Sequence, residues 1–269
     1  MDTASPTKLA SNKRILQITD IHLGRLTGEV LLGCDTDQSF HEVLTLIQEK
    51  EKDFAGIICT GDIAASSGHE DCYRRFIRIL RQYVEQPLAW LPGNHDSPAV
   101  MRDLNLPQTP ENRLVVQGNW LIVLLNSVVS EDVNGKHEHH GHFAPAELAY
   151  LDSILTENPD KHVMVMLHHH PVSIGSRWVD EYILRNGDAF FSVLDRHNNV
   201  RALVWGHVHQ EFRGQRKSLE LIATPSTCVQ FKPQCDDFAL DTLMPGYRWF
   251  ELNDDGSFET GVERVLEKQ

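Results

Sequence analysis

The chain has 269 residues, of which 41% are hydrophobic and 23% are charged, and these values are typical of a globular protein that builds its own core. Its formal net charge of −13 argues against the broad basic surface that binding to polymeric nucleic acid requires. The longest apolar runs, at 121–125 and 163–167, are too short to cross a bilayer as helices.

The start of the chain and its cysteines indicate a cytoplasmic protein. Residues 1–12 are polar and lack the apolar core of a signal peptide, so they are predicted to form a flexible N-terminal tail. The five cysteines are odd in number and form no C-x-x-C pair, which indicates free thiols in a reducing compartment. No repeat or flexible linker divides the rest, so residues 13–269 are predicted to form a single domain.

Short apolar runs alternate with amphipathic segments along the chain. The short runs have the length of buried strands, and the longer segments place apolar side chains at helical intervals. Such alternation predicts a layered α/β domain. In chain order, the predicted elements are strand 14–19, helix 37–50 with Asp37 as its N-cap, strand 56–59, helix 70–84, strands 88–91, 114–116 and 120–126, helix 146–157 opened by Pro145, strand 163–167, helix 187–196, and strands 200–205, 219–224 and 248–252.

Five of the predicted strands end in side chains that can bind metals or transfer protons. Ligands in α/β domains gather at the carboxyl ends of the strands, and core packing does not explain Asp, Asn or His at so many of these ends. In chain order, the motifs are Asp20-Ile21-His22, Gly61-Asp62, Gly93-Asn94-His95-Asp96, His168 and Gly206-His207-Val208-His209.

These motifs differ greatly in how often chance would produce them. With this composition, Asp-x-His and Gly-Asp are each expected about once, so either one alone indicates nothing. Gly-His-x-His is expected about 0.05 times and Gly-Asn-His-Asp about 0.003 times. The rare motifs and their shared position at strand ends therefore favour a functional site over a structural origin.

The donor types indicate a pair of transition metals. Imidazole nitrogens and carboxylate oxygens together bind iron, manganese, zinc or cobalt, and no thiolate belongs to the set. Several ions of the first transition row share these preferences, so the donors do not select one metal.

With this motif order, the sequence resembles the calcineurin-like metallophosphoesterase superfamily, whose pattern is D-x-H, G-D, G-N-H-[DE], H and G-H-x-H. Within it, the chain is most similar to the bacterial 3',5'-cyclic AMP phosphodiesterases of class III, over nearly its whole length. Residues 223–233, followed by Phe238, Asp241 and 245–248, are especially similar. The resemblance implies an αββα sandwich with a metal site at the C-terminal ends of the strands.

The resemblance also implies two divalent or mixed-valence metal ions, with iron and manganese favoured and zinc and cobalt as alternatives. In the triplet 168–170, the family pattern H-x-x-P implies His168 as the ligand, with His169 as the competing choice. One metal would be bound by Asp20, His22, Asp62 and His209, and the other by Asp62, Asn94, His168 and His207, with Asp62 as the bridge.

The implied activity is hydrolysis of 3',5'-cyclic AMP to 5'-AMP, which lowers cyclic AMP signalling. A hydroxide held between the two cations would attack phosphorus. His95 would protonate or stabilise the leaving 3'-oxygen, and Asp96 would either orient His95 or cap a helix beginning at Ser97. The implied substrate contacts are His22, Asp62, Asn94, His95 and His209, with Trp178 and Arg185 against the nucleoside.

Other features have less specific interpretations. The segment 223–247 is a candidate lid or dimer segment, and the arginines of 70–82 are predicted to form a solvated face. We expect a monomer or homodimer that acts on a small molecule and does not bind membranes.

The alternative functions are a broader phosphodiesterase, acting on 2',3'-cyclic nucleotides or glycerophosphodiesters, and a non-catalytic scaffold. A structural role, in a solvated loop or a lid, is favoured over a third metal site for His137, His139, His140 and His142.

Overall fold

The computed structural model describes residues 6–9, 14–66, 68–104, 113–129 and 139–267. None of the helices in these ranges is both long enough and apolar enough to span a membrane. The strands are β1 (Thr7–Lys8), β2 (Arg14–Ile18), β3 (Val30–Leu31), β4 (Cys34–Asp35), β5 (Ile57–Cys59), β6 (Leu88–Trp90), β7 (Leu114–Gln117), β8 (Trp120–Leu124), β9 (His162–Leu167), β10 (Val200–Trp205), β11 (Phe212–Arg216), β12 (Leu219–Ala223), β13 (Gly246–Leu252) and β14 (Phe258–Arg264). The helices are α1 (Thr36–Lys50), α2 (Glu70–Leu80), α3 (Pro98–Asp103), α4 (Pro145–Glu157), α5 (Arg177–Asp180) and α6 (Gly187–Leu194).

Two mixed sheets contain most of the strands. The larger sheet has the order β1-β7-β8-β9-β10-β12-β11, and the smaller has the order β14-β13-β2-β5-β6. The run β8-β9-β10-β12 is parallel, as is the run β2-β5-β6. Strands β3 and β4 form a separate hairpin outside both sheets. The parallel runs bring the motif-bearing strand ends to one edge of each sheet.

Three hydrophobic clusters define the layers. One lies between the sheets and combines residues such as Ile15 and Ile58 of the smaller sheet with Ile122 and Met164 of the larger. A second packs the smaller sheet against α1 and α2, and a third packs the larger sheet against α4 and α6. Successive residues of a strand alternate between these clusters because side chains point to opposite faces. The predicted αββα sandwich is therefore confirmed.

The predicted strands and long helices are present, with small differences at their ends. The helix predicted over 70–84 stops at Leu80, and the one predicted over 187–196 stops at Leu194. Beyond these points the backbone tightens into i→i−3 hydrogen bonds, such as Tyr83 N–H to the Leu80 carbonyl. The apolar periodicity continues through such a turn, so the sequence does not indicate where the α-helix ends.

Helix α1 is capped by a different residue from the one predicted. Asp35, and not Asp37, is the N-cap, and its carboxylate accepts a hydrogen bond from the Gln38 backbone N–H at 3.0 Å. Asp37 lies in the first turn of α1, where it pairs with Arg75 of α2 at 2.9 Å, both side chains being buried. The prediction that the arginines of 70–82 form a solvated face is therefore wrong for Arg75.

Several short or polar strands were not predicted. Within the predicted tail 1–12, Thr7 and Lys8 pair with β7, and most of the rest of that segment lies outside the described residues. Strands this short, or as polar as β11, carry too few apolar positions to show a period of two. The unpredicted strands are β1, β3, β4, β11 and β14.

We expect Ile122→Ala to lower the free energy of unfolding by about 2–5 kcal/mol, because Ile122 is 0% exposed between the two sheets and its loss leaves a cavity. Urea unfolding followed by circular dichroism measures this change. Leu266→Ala is the control, since Leu266 is 83% exposed and its replacement should alter stability by less than about 0.5 kcal/mol. Equal losses for both variants would contradict the assignment of the inter-sheet core.

Candidate metal centre

The five motifs meet in space at the carboxyl ends of β2, β5, β6, β9 and β10. Two groups of buried side chains, each with donor atoms within 4.8 Å of one another, could hold a metal ion. The structure thus brings together the residues predicted as ligands, from both sheets. The first group is Asp20, His22 and His209, and the second is Asp62, His168 and His207, with Asn94 beside it.

In the first group, two imidazoles direct nitrogens at each other. The Nε2 atoms of His22 and His209 are 3.1 Å apart, and the Nε2 of His209 lies 3.4 Å from the Asp20 carboxylate. Both rings are buried, and nitrogens 3.1 Å apart leave no room for a water between them. A shared cation explains such convergence of donors better than one hydrogen bond between two imidazoles.

In the second group, Asp62 occupies the position between the two sets of donors. Its Oδ2 atom lies 3.3 Å from Nε2 of His168 and 3.7 Å from Nε2 of His22. Nε2 of His168 is also 3.1 Å from Oδ1 of Asn94. The carboxylate of Asp62 can therefore reach donors of both groups, as a bridging ligand must.

Backbone carbonyls fix the orientation of two of the rings. Nδ1 of His168 lies 2.8 Å from the Thr60 carbonyl, and Nδ1 of His209 lies 2.8 Å from the Val229 carbonyl. Since a carbonyl only accepts, each Nδ1 carries a proton and donates it, which makes Nε2 the nitrogen of each ring that can bind a cation.

Buried atoms and charges in the site fit divalent cations. Among the described residues, Nε2 of His207 and Nδ1 of His22 are buried without a hydrogen-bond partner. Burial lowers the pKa of His22 to about 3. Burial opposes ionisation of Asp62, but the nearby His168 and His95 hold the pKa of its carboxyl well below its usual range. Against the effect of burial, Asp62 raises the pKa of His168 to about 9. Ionised carboxylates and neutral imidazoles are the forms that bind metals, so a cation bound at His168 would displace this proton.

The strand-end turns hold these side chains in an uncommon backbone conformation. Left-handed φ values are rare for residues with a side chain, and strain of this kind concentrates at functional sites. Hydrogen bonds between adjacent turns support it, as from Asp20 N–H to the Gly61 carbonyl at 2.9 Å. Of the eight described non-glycine residues with positive φ, five belong to the site: Asp20 (55°), His22 (52°), Asp62 (51°), His207 (67°) and His209 (48°).

The glycines of the motifs permit the turns to approach closely. A Cβ on Gly93 would overlap the Asp62 carboxylate, and one on Gly206 would overlap the Thr19 hydroxyl. Each motif glycine is thus required by the packing of a neighbouring turn.

Neither role predicted for Asp96 matches its contacts. Its carboxylate accepts hydrogen bonds from the backbone N–H groups of Ile63 (3.2 Å), Ala64 (3.0 Å) and Gly93 (2.9 Å). The N-cap of α3 is Ser97, whose hydroxyl accepts from the Val100 N–H. Burial and the nearby Asp62 charge raise the pKa of Asp96 to about 6. Asp96 therefore joins two site turns instead of orienting His95.

His95 lies at the half-exposed edge of the site. Its backbone N–H donates to Oδ1 of Asp62 at 2.8 Å, and its ring centroid is 5.1 Å from that of His22. A ring nitrogen of His95 also lies within 4.8 Å of donor atoms of His22 and Asp62. The imidazole therefore faces the space above the first group.

One histidine of the segment 137–142 belongs to the site. Nδ1 of His139 lies 3.1 Å from Nδ2 of Asn94, and its ring is 5.4 Å from that of His95. His140 is buried, His142 is exposed, and His137 lies outside the described residues. A single sequence offers no signal that separates His139 from its neighbours.

The structure favours His168 over His169 as a donor. Nδ1 of His169 is 2.8 Å from the Ser127 hydroxyl, and its Nε2 is 3.1 Å from the His139 carbonyl. Both ring nitrogens are therefore engaged outside the two groups.

An aromatic cluster borders the first group. The ring of Phe231 stacks on His209, with centroids 4.2 Å apart and planes 9° apart. Trp178 packs edge-on against Phe231 and Phe238, with centroids 4.9 and 5.0 Å away. Arg185 is exposed, and its guanidinium makes no hydrogen bond or ion pair within the described part of the chain. Phe231 was missed as a site residue, although it lies within the segment 223–233 that carries the resemblance.

Part of the candidate lid or dimer segment is fixed beneath the site. The hydroxyl of Ser226 donates to the Asp20 carbonyl at 2.7 Å, and that of Thr227 donates to the Thr19 carbonyl at 3.1 Å. Residues 226–231 are therefore a supporting loop, which we call the anchor loop. Farther along the segment, Phe238, Leu240 and Leu243 are exposed.

Residues 13–211 match the family model described as Calcineurin-like phosphoesterase. The chain belongs to this family. This phosphoesterase is 41% identical over 251 residues to 3',5'-cyclic adenosine monophosphate phosphodiesterase CpdA from Pseudomonas aeruginosa, covering 93% of this chain and 89% of that protein. It is 38% identical over 258 residues to the protein of the same name from Escherichia coli K12, covering 94% and 90%.

Solved structures support the fold of this calcineurin-like phosphoesterase. A dimetal phosphatase from Danio rerio superposes with a TM-score of 0.62 at 14% identity, covering 96% of this chain and all of that one. The purple acid phosphatase PPD1 from yellow lupin superposes with a TM-score of 0.67 at 9% identity, covering 98% and 53%. At these identities the likeness extends to the fold alone.

We expect Asp96→Asn to lower the free energy of unfolding by about 1–3 kcal/mol, because the amide would turn an N–H group toward backbone N–H donors. Urea denaturation of the metal-free protein measures the loss without a contribution from bound cations. The exposed Asp53→Asn is the matched control and should change stability little. If the two variants unfold at the same urea concentration, Asp96 does not join the turns.

Proposed function

We propose that the chain hydrolyses 3',5'-cyclic AMP to 5'-AMP with two bound divalent cations. The observation that carries this proposal is the pair of buried donor groups joined through Asp62. The choice of substrate is supported by relatives named as 3',5'-cyclic AMP phosphodiesterases, which match over more than nine-tenths of the chain. An iron and manganese pair, a cytoplasmic location, and a monomeric or homodimeric state stay predictions.

Seven side chains are the proposed ligands. When bound, two divalent cations supply a nucleophile at neutral pH and neutralise charge on the phosphoryl oxygens. The strained turns hold the ligand side chains in place. The Thr60 and Val229 carbonyls orient the imidazoles of His168 and His209. Asp20, His22, Asp62 and His209 would hold one cation, and Asp62, Asn94, His168 and His207 would hold the other.

His95 is the proposed general acid for the leaving 3'-oxygen. Its half-exposed ring lies beside the first group, within reach of a phosphodiester placed over His22 and Asp62. The hydrogen bond from its backbone N–H to Asp62 fixes the residue relative to the site. His139 lies on its other side and limits how the ring can turn.

The nucleoside is proposed to lie toward the aromatic cluster. The stack of Phe231 on His209 presents an apolar surface next to the first group, and Trp178 extends this surface. A nucleobase gains about 1–3 kcal/mol by stacking on an aromatic side chain. Trp178 and Arg185 remain the proposed nucleoside contacts, with Phe231 added to them.

A panel of substrates tests the proposed reaction. The protein, loaded with Mn²⁺ or with Fe²⁺ and Mn²⁺, is assayed with 3',5'-cyclic AMP, 3',5'-cyclic GMP, 2',3'-cyclic AMP and glycerophosphocholine. We expect the highest kcat/KM for 3',5'-cyclic AMP, with 5'-AMP as the product. Equal or better cleavage of the other diesters would support the broader phosphodiesterase, and no cleavage of any diester would support a non-catalytic scaffold.

We expect His207→Ala to bind fewer metal ions than the unaltered protein, because the variant lacks one donor of the second group. Inductively coupled plasma mass spectrometry, after removal of free metal, gives the number of metal ions per chain. The exposed His142→Ala removes an imidazole away from the donor groups, and its metal content should equal that of the unaltered chain. Full metal content in His207→Ala would remove His207 from the ligand set.

We expect His95→Ala to lower kcat for 3',5'-cyclic AMP by roughly 10²–10⁴-fold, the usual contribution of a general acid. Its metal content should be unchanged, because His95 is not among the proposed ligands. A variant that loses metal together with activity would instead make His95 a ligand.

A further inference from the structure

Polar side chains interrupt the apolar core between the two sheets close to the metal centre. Successive residues of a strand point to opposite faces, so Gln17 shares the inter-sheet face of Ile15, and Arg248 shares that of Phe250. Both polar side chains are buried, with 0% and 3% exposed. Burying them costs free energy unless their polar groups find hydrogen-bond partners. The two residues therefore require partners inside the sandwich.

Gln17 uses both ends of its amide to join the two sheets. Its Nε2 donates to the Thr60 hydroxyl at 2.8 Å and to the Trp205 carbonyl at 3.4 Å. Its Oε1 accepts from the Thr224 hydroxyl at 2.5 Å. Thr60 follows β5 of the smaller sheet, to which Gln17 also belongs. Trp205 ends β10 and Thr224 follows β12, both strands of the larger sheet, so two of the three bonds cross between the sheets.

Arg248 of β13 adds two further bonds from the smaller sheet to the larger one. Its Nε donates to the Thr224 hydroxyl at 3.2 Å, and its Nη2 donates to the Ala223 carbonyl at 3.1 Å. The partly exposed carboxylate of Glu211 lies 3.7 Å from the same Nη2 and compensates the charge of the guanidinium. We call Gln17, Thr60, Thr224 and Arg248 the inter-sheet network.

The inter-sheet network lies directly next to proposed metal ligands. Asp62 comes two residues after Thr60, and Asp20 comes three residues after Gln17. The Thr60 carbonyl also accepts from Nδ1 of His168, a proposed ligand from the larger sheet, at 2.8 Å. A displacement within the network would therefore move donors of both groups.

The network constrains the two sheets in a way that apolar packing does not. The hydrophobic effect has no preferred direction, whereas a hydrogen bond weakens steeply once its donor and acceptor leave their alignment. A buried network whose groups are paired therefore favours one arrangement of the sheets over neighbouring ones.

We propose that the inter-sheet network fixes the register of the two sheets at the metal centre, with Gln17 and Thr224 as positioning residues for the metal donors. This inference rests on the pair of cations in the proposed function. The hydroxyl of Thr224 is the shared point of the network, since it donates to Gln17 and accepts from Arg248. Loss of this hydroxyl should let the donors of the two sheets shift relative to each other.

Two substitutions of Thr224 separate the role of its hydroxyl from that of its packing. Thr224→Val keeps the branched shape and removes the hydroxyl, whereas Thr224→Ser keeps the hydroxyl and removes a methyl group. Calorimetric titration of the metal-free full chain with Mn²⁺ gives the affinity for the ions. We expect Thr224→Val to bind Mn²⁺ roughly tenfold more weakly, as when supports of metal ligands are lost, and Thr224→Ser to bind as the unaltered chain does.

A second pair of variants lies on one face of β2. Gln17→Met keeps an unbranched side chain and removes the amide, while Ile15→Val removes a methyl group outside the network and is the matched control. We expect Gln17→Met to weaken Mn²⁺ binding and to alter the electron paramagnetic resonance spectrum of the bound Mn²⁺ pair, which depends on the separation of the ions. Ile15→Val should change neither. Circular dichroism shows whether each variant is folded.

Unaltered Mn²⁺ affinity and spectra in both Gln17→Met and Thr224→Val would overturn this inference and leave the proposed function intact. Equal losses in Ile15→Val and Thr224→Ser would also overturn it, because the network would then contribute only stability. If Gln17→Met does not fold, the two Thr224 variants decide. An unaltered chain that takes up no Mn²⁺ would overturn the proposed function together with this inference.

Discussion

The carboxylate of Asp62 is the interaction on which the rest of the site depends. It is buried, and its charge is compensated by groups from both sheets, since its oxygens face His168, His22 and the backbone N–H of His95. Burying an unpaired carboxylate would be costly, so these neighbours must hold their places whether or not a cation is bound. Asp96 contributes from below by fixing the turn that follows Asp62.

Because the donors come from both sheets, the spacing between the sheets also sets the spacing between donors in the metal centre. Asp62 follows a strand of the smaller sheet, while His168 and His207 follow strands of the larger one. The cluster between the sheets, with residues such as Ile58 and Met166, sets how far apart these strand ends lie. Because protein interiors are close-packed, a change of volume in this cluster displaces donors relative to one another. The packing between the sheets therefore also determines the geometry of the metal centre.

Local pattern predicted a layered α/β domain with metal-binding residue types at its strand ends, and the family resemblance implied the αββα sandwich and the set of ligands. Apolar runs mark buried strands, and rare motifs mark their ends. Contacts between distant segments leave no such pattern, and there the predictions were incomplete or wrong. Asp35 and Asp37 are equally good caps by type, and only Arg75 decides between them. Asp96 and His139 differ from expectation for the same reason, since their partners come from other turns.

The strained turns of the site have a consequence for how the protein changes over generations. A left-handed backbone costs on the order of 1 kcal/mol for a residue with a side chain and almost nothing for glycine. Replacement of His22 or His209 by glycine would thus relax the backbone while removing a donor. Such a change would also leave the buried carboxylate of Asp62 or Asp20 without a neighbouring imidazole, so glycine is not a stabilising replacement and the strained turns persist together with the donors.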